Sequence, residues 1–263
     1  MRTIKPILID EIPTEIQNFL GTINSVQYPR QGHTSDVCIL KSEDRHAVLK
    51  RTKGKQFCEW LRKEVEVLEI LAQTDLFVPK VYMLKDEGEE VWALLELLEG
   101  ETLRSYFARE ENLKNKYSVI SQFGQALANL HATPCPKPLQ KGDWLDEMLR
   151  QAQYNLENYQ VEGTMKQLQF LMENKPKQIE QSLIHGDFTI DNVLVKDGVI
   201  AGIIDWSGGA FGDPRYDLAL AIRPKPSIFE DEKEIAIFFD GYGKKMINDA
   251  EYTYFEEGLY AFF

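Results

Sequence analysis

The segment Leu183-Ile184-His185-Gly186-Asp187-Phe188-Thr189-Ile190-Asp191-Asn192-Val193-Leu194 sets an acid and an amide five residues apart, between two apolar runs. A His-Gly-Asp followed by Asn at that spacing arises by chance about once in a thousand chains of this length. Alone it also reads as a polar loop joining two strands. Its spacing suits one chemistry in particular. Transfer of a phosphoryl group from a magnesium nucleotide needs a carboxylate to align the attacking hydroxyl and take its proton. It also needs a neutral oxygen ligand for the metal nearby on the same loop. Asp187 is the candidate base and Asn192 the candidate magnesium ligand.

Gly202-Ile203-Ile204-Asp205-Trp206 adds an acid at the end of an apolar strand. By itself Asp205 is a turn residue. In register with Asp187 and Asn192 it falls where a second magnesium ligand belongs, and Mg²⁺ takes few protein carboxylates.

The first hundred residues read as strands with one helix. Val37–Leu40, Ala47–Lys50, Val81–Leu84 and Val91–Leu98 are strand-like, and Phe57–Ala72 repeats Leu61, Val65, Leu68 and Leu71 at helical spacing. Lys50 ends a strand, where it would meet the α- and β-phosphates of a nucleotide. Glu64 on the helix would hold that lysine. The alternatives are a surface lysine and a solvated helix face, with Glu59 and Glu66 as rivals to Glu64. Arg30 to Asp36 carries one glycine, Gly32, and the small polar Ser35, whose backbone N–H groups suit phosphate oxygens or an ordinary hairpin turn. His33 and His46 read as surface residues and His131 as helix-end packing.

After Glu96–Gly100 the pattern turns helical: Ser118–His131, Trp144–Leu149, Met165–Met172 and much of 216–263, with strand-like runs at Ser182–Ile184, Val193–Val195 and Val199–Ile204. The expected fold class is therefore α+β. Residues 1–95 form a β-rich N-lobe with one key helix, 96–100 a hinge, and 101–263 a mostly helical C-lobe. The 42 acidic against 30 basic residues, a net charge of −12, argue against nucleic acid or anionic lipid as partner. No run reaches the ~18 apolar residues of a membrane helix. Three widely spaced cysteines and an N-terminus without a leader pattern give the cytoplasm as the expected location.

With these motifs in place the chain resembles the aminoglycoside phosphotransferase family, small-molecule kinases of protein-kinase-like, bilobal fold. Leu95-Glu96-Leu97-Leu98-Glu99-Gly100 is similar to the family hinge. Leu130-His131-Ala132-Thr133-Pro134, the His185–Asn192 loop, Ile203–Trp206 and Gly212-Asp213-Pro214-Arg215-Tyr216-Asp217-Leu218-Ala219 match as well. The resemblance implies ATP or GTP as donor, with the base received by backbone at Glu96 and Leu98. It also implies Mg²⁺ on Asn192 and Asp205, Asp187 as base, and architectural roles for Asp213 and Asp217. The C-terminal Phe263 and nearby acids resemble the amino-sugar contacts of the 3′-kinases. Here, however, Ala261 stands near the expected acidic place, and Ser207-Gly208-Gly209 stands where that pattern has an arginine.

The expected acceptor is a small-molecule hydroxyl. Acids in 143–174 and 251–263 (Asp143, Asp146, Glu147, Glu157, Glu162, Glu251, Glu256, Glu257) favour a cationic one, with Glu157, Glu256, Glu257 and Phe263 as candidate contacts. A solvated acidic face is the other explanation. Antibiotic resistance would follow from an aminoglycoside acceptor. The alternatives are a metabolite kinase acting on an amino alcohol, sugar or macrolide, and an inactive nucleotide-binding scaffold. A protein kinase fits less well, because Asp-Phe-Gly and Ala-Pro-Glu segments are missing. ATP and GTP, and monomer and homodimer, stay open at this level.

Overall fold

The computed structural model describes residues 6–29 and 34–263, and the chain divides into two compact units, Met1–Glu99 and Gly100–Phe263. The first unit is an antiparallel five-stranded sheet in the order β1-β2-β3-β5-β4: β1 (Ile23–Gln27), β2 (Asp36–Ser42), β3 (His46–Lys53), β4 (Val81–Asp86) and β5 (Glu90–Glu96). Alternation along β2 and β3 sends Cys38, Leu40, Ala47 and Leu49 to one face. There they pack with Ile12, Ile16 and Leu20. Lys50, one residue on from Leu49, points to the opposite face, towards α2 (Lys55–Leu71).

α2 buries Leu61, Val65, Leu68 and Leu71 as the helical spacing predicts, together with Glu64. The expectation of a single helix in this region is corrected: α1 (Thr14–Leu20) precedes β1. It is too short to display a helical period, and only Ile16 and Leu20, four residues apart, are buried on it. β1 also escaped notice, because its polar, half-exposed residues show no apolar run.

The second unit is mainly helical: α3 (Leu103–Arg109), α4 (Leu113–Ala132), α5 (Trp144–Asn158), α6 (Met165–Glu173), α7 (Pro214–Ala221), α8 (Glu232–Tyr242) and α9 (Asp249–Tyr252). Every one starts at a side-chain cap, from Thr102, Asn112, Asp143, Thr164, Asp213, Asp231 and Asn248 in turn, which satisfies a backbone N–H that a helix start leaves open.

Two small sheets carry the polar loop. β7 (Ser182–Ile184) pairs with β10 (Ala210–Gly212), and β8 (Val193–Lys196) lies between β6 (Glu101–Thr102) and β9 (Val199–Ile203). The loop from β7 to β8 is anchored by Phe188, which stacks on Phe123 of α4 at 4.9 Å, with Phe238 of α8 against the same ring at 5.4 Å. After α9 the chain makes a π-helical turn, Thr253–Gly258, and then a 3-10 turn, Leu259–Phe262. No helix among the described residues is long and apolar enough to cross a membrane.

Candidate active site

In the second unit the site is built on backbone held by a buried acid. Asp217 of α7, fully buried, accepts the N–H groups of His185 at 2.6 Å and Gly186 at 2.8 Å, one on each carboxylate oxygen. His131 sits 3.4 Å from the same carboxylate and bonds the Tyr242 hydroxyl at 2.9 Å, so it does more than pack a helix end. Asp213 caps α7 and holds the buried Arg215, which also reaches Glu251 of α9 at 2.5 Å. Both carboxylates are occupied in holding backbone N–H groups, and Asp213 also holds Arg215.

The loop needs glycine at position 186. Its φ is +80°, and a Cβ there would run into the backbone of Gly208. The reverse also holds: a Cβ on Gly208 would lie 2.8 Å from the His185 carbonyl oxygen. This close approach gives the glycine at position 208 a physical reason.

His185 is buried, and its ring is fixed at both nitrogens. Nε2 lies 2.9 Å from the Ile204 carbonyl oxygen and Nδ1 3.2 Å from the Asp187 N–H, so Nε2 donates and Nδ1 accepts. Burial pushes its pKa down, against the nearby Asp217 charge.

Asp187 follows. Asn192 donates its amide to the Asp187 carbonyl at 2.9 Å and to Oδ2 at 2.7 Å. Tyr260 donates its hydroxyl to Oδ1 at 3.2 Å. Burial pushes the Asp187 carboxyl up to about 7; the Asn192 bond works against this, and the charge of nearby Asp205 adds to it.

Asn192 and Asp205 are brought together by the β8–β9 ladder. Val193 pairs with Ile203, and the Ile204 N–H donates to the Asn192 carbonyl at 2.9 Å. Asp205 then turns at φ +66°, a left-handed conformation that Asp tolerates better than most residues. With the Asn192 amide nitrogen engaged twice by Asp187, its Oδ1 is the oxygen left to face a cation. One amide and one carboxylate oxygen form a hard donor set, which fits Mg²⁺ completed by phosphate and water. Among the described residues no three His, Cys, Asp or Glu side chains converge as a metal site.

In the first unit, Lys50 Nζ lies 2.6 Å from Glu64 Oε1, and both side chains are buried. Neither the surface lysine nor the solvated glutamate describes this pair. Lys50 is fixed by β3, which pairs with β2 at Val37 and β5 at Ala93. At the end of β5, Glu96 gives its N–H to the Lys80 carbonyl at 2.8 Å and accepts the Lys80 N–H on its carboxylate at 3.2 Å. Leu98 is buried and Ser35 half-buried, while Gly32, with Arg30, Gln31 and His33, lies outside the described residues.

The candidate acceptor contacts divide. Glu257 and Glu157 are exposed, the latter bonded by Gln153 at 2.9 Å. Glu256 is held by Arg223 at 2.5 Å, and Phe263 is exposed. Tyr260 and Arg223, which stand at the site, were missed from the sequence, since neither lies at a motif spacing from Asp187.

The model of the phosphotransferase enzyme family matches residues 25–255 of the chain. An aminoglycoside 3′-phosphotransferase of Niallia circulans is 25% identical over 207 residues, covering 74% of this chain and 76% of that protein. Among solved structures, an aminoglycoside-3′-phosphotransferase of type VIII superposes with a TM-score of 0.78 at 20% identity, over 94% of this chain and 97% of the other. A thermostable mutant of aminoglycoside phosphotransferase APH(4)-Ia, in ternary complex with ADP and hygromycin B, superposes with a TM-score of 0.62 at 20% identity, over 87% and 82% of the two chains.

Proposed function

Because the chain belongs to the phosphotransferase enzyme family and is a small-molecule kinase, we propose that it moves the γ-phosphoryl group of ATP or GTP to an alcohol, with Asp187 as base and Mg²⁺ as cofactor. The observation that carries this reading is the pair of hydrogen bonds that the Asn192 amide donates to Asp187. It fixes the carboxylate that would meet the acceptor hydroxyl and leaves the amide oxygen for a cation.

Lys50, held by Glu64, would neutralise the α- and β-phosphates, and the backbone at Glu96 and Leu98 would receive the base. Asn192 and Asp205 would hold Mg²⁺, which when bound supplies neutralisation of phosphate charge. Asp187 orients the acceptor hydroxyl for in-line attack and accepts its proton. Its burial favours this step, since a base whose pKa lies near neutrality is well matched to proton transfer. The likeness to a protein complexed with ADP and hygromycin B supports a nucleotide donor and a small polar acceptor.

The test is a coupled nucleotide-turnover assay with Mg²⁺ over a panel of aminoglycosides, amino alcohols, sugars and hydroxy acids, run beside Asp187→Asn. Acceptor-dependent turnover that the variant loses establishes the reading. Absence of nucleotide binding would sink it.

A further inference from the structure

Three basic side chains from two segments gather around Asp191 and Glu256, next to the tyrosine that bonds Asp187. Arg104, in the first turn of α3, makes a two-pronged ion pair with Asp191 on the catalytic loop. Arg223, just after α7, is bound to Glu256 of the π-helical turn and lies over the Tyr260 ring, 5.3 Å from its centre. The Tyr260 hydroxyl is the group bonded to Asp187. Lys225, two residues beyond Arg223, completes the set. It is half-buried, and the charges acting on it are Arg223, Arg104, Asp191 and Glu256.

The pairing leaves one charge over. Asp191 is taken by Arg104 and Glu256 by Arg223, whereas the Lys225 ammonium has no hydrogen bond or ion pair among the described residues. Burial and the two guanidinium groups push the Lys225 pKa down, against the charges of Asp191 and Glu256. A chain of net charge −12 does not present such a point by general excess of basic residues.

The acids that raised the expectation of a polycationic acceptor are largely committed elsewhere. Asp146 is paired with Lys175, Glu147 with Arg150 and Glu251 with Arg215, and Asp143 caps α5. Beside Tyr260, which bonds Asp187, the basic groups are Arg223 and, next to it, Lys225. The π-helical turn supports the same reading, since it presents Glu256 to Arg223 just ahead of Tyr260; π-turns inside helices recur at functional sites.

We propose that the acceptor alcohol carries an anionic group, a carboxylate or a phosphate, which Lys225 and Arg223 hold while its hydroxyl reaches Asp187. This rests on the phosphotransferase reading above. The acceptor oxygen forms a bond to the γ-phosphorus as the bond from that phosphorus to the β–γ bridging oxygen breaks. The nucleoside diphosphate leaves with the electron pair, and the hydroxyl proton passes to Asp187. A second anionic group on the acceptor is thereby set apart from the phosphoryl group it receives.

The experiment compares matched acceptors on the full chain with Mg²⁺ and ATP: glycerate against glycerol, glucose 6-phosphate against glucose, and kanamycin as the polycation. The expected result is preference for an anionic member over its neutral partner by at least tenfold in kcat/KM. Glycerate and glucose 6-phosphate separate the carboxylate from the phosphate. Lys225→Ala should raise the acceptor KM about 10–100-fold, the range for one charge-assisted contact, with the nucleotide KM unmoved. Lys225→Arg should restore most of the loss.

Preference for a neutral acceptor or for kanamycin, or an acceptor KM indifferent to Lys225→Ala, would overturn this proposal and leave the kinase reading standing. If ATP binds but no member is turned over, calorimetry with glycerate, glucose 6-phosphate and inorganic phosphate decides: binding lost in Lys225→Ala supports the proposal, and no binding overturns it. If ATP itself fails to bind, both readings fall.

Discussion

Tyr260 donates its hydroxyl to Oδ1 of Asp187 at 3.2 Å, while Asn192 donates to Oδ2 at 2.7 Å. Each oxygen of the carboxylate is thus tied to a different part of the chain, and its plane is fixed before any acceptor arrives. In the proposed role of base, a carboxylate held in this way would need little reorganisation at proton transfer. Tyr260 does this from the last turn of the described chain, and burial together with the Asp187 charge raises its own pKa, so it stays a donor at any ordinary pH.

Tyr260→Phe should therefore lower kcat by roughly 10–150-fold, equivalent to about 1.5–3 kcal/mol for a hydrogen bond to a charged partner. The ring keeps its place against Tyr216 and Arg223, with centroid distances of 6.5 and 5.3 Å, so the thermal midpoint should barely move. Steady-state kinetics and a thermal melt on the same preparation separate the two effects. An unchanged kcat would show that Tyr260 only packs.

Asp187→Asn should cost about 10²–10⁴ in kcat, the range for a positioned general base, with the acceptor KM little changed. It should not destabilise the fold. Burial already penalises the charged form of Asp187, and an amide of the same shape removes that penalty. A variant that loses activity and stability together would point to a structural role instead.

The spacing of residues exposed much of this site and concealed the rest for a physical reason. Asp187 and Asn192 lie on the loop that enters the β8–β9 hairpin and Asp205 at its exit, and the β8–β9 register brings Asn192 opposite the Asp205 end. Lys50 and Glu64 are joined by a strand and a helix whose periods can be read from their apolar residues, so the burial of both follows from those periods. Tyr260, Arg223, Lys225 and Arg104 arrive from segments that meet only through packing, and no local pattern records such a meeting. The π-helical turn that positions Glu256 is likewise invisible in a sequence read as α-helix. Short elements fared similarly: β6 and β10 have two and three residues, too few to show an alternation.

Asp217→Ala should be among the more damaging changes outside the reacting groups. It would leave the N–H groups of His185 and Gly186 without their acceptor, at about 1–3 kcal/mol for each buried donor left unsatisfied. Denaturant melts should show that loss, and Asp217→Asn, which keeps one carbonyl oxygen, should show less of it. Equal stability in both variants would mean that the two N–H groups find other partners.

The Lys50–Glu64 pair permits a sharper separation of stability from function. Removing either partner alone deprives a buried charge of this ion pair, at a cost of up to roughly 3–5 kcal/mol, whereas replacing both with apolar residues of similar size is often close to neutral. Lys50→Met and Glu64→Leu should each lower stability, and the double variant should recover most of it while its nucleotide KM stays raised. Recovery of nucleotide affinity along with stability would remove Lys50 from the phosphate site.

The last prediction concerns acid. His185 is neutral in the folded protein, donating from Nε2 to the Ile204 carbonyl and accepting the Asp187 N–H at Nδ1, and burial lowers its pKa. In the unfolded chain the same imidazole takes up a proton with a pKa near the ordinary ~6.5. Below that value the unfolded state binds more protons than the folded one, so stability falls as pH falls. The slope from this group approaches ~1.4 kcal/mol per pH unit, and the loss continues until the folded-state pKa is reached. Above about pH 7.5 the group contributes no slope in either state. Protonation would also convert Nδ1 from acceptor to donor and set it against the Asp187 N–H, so the acid form cannot keep the loop as it stands. Urea melts from pH 5 to pH 8, paired with His185→Gln, test this: the variant should lose the part of the slope below pH 6.5 that His185 supplies. An identical slope in both proteins would assign the acid sensitivity to other groups.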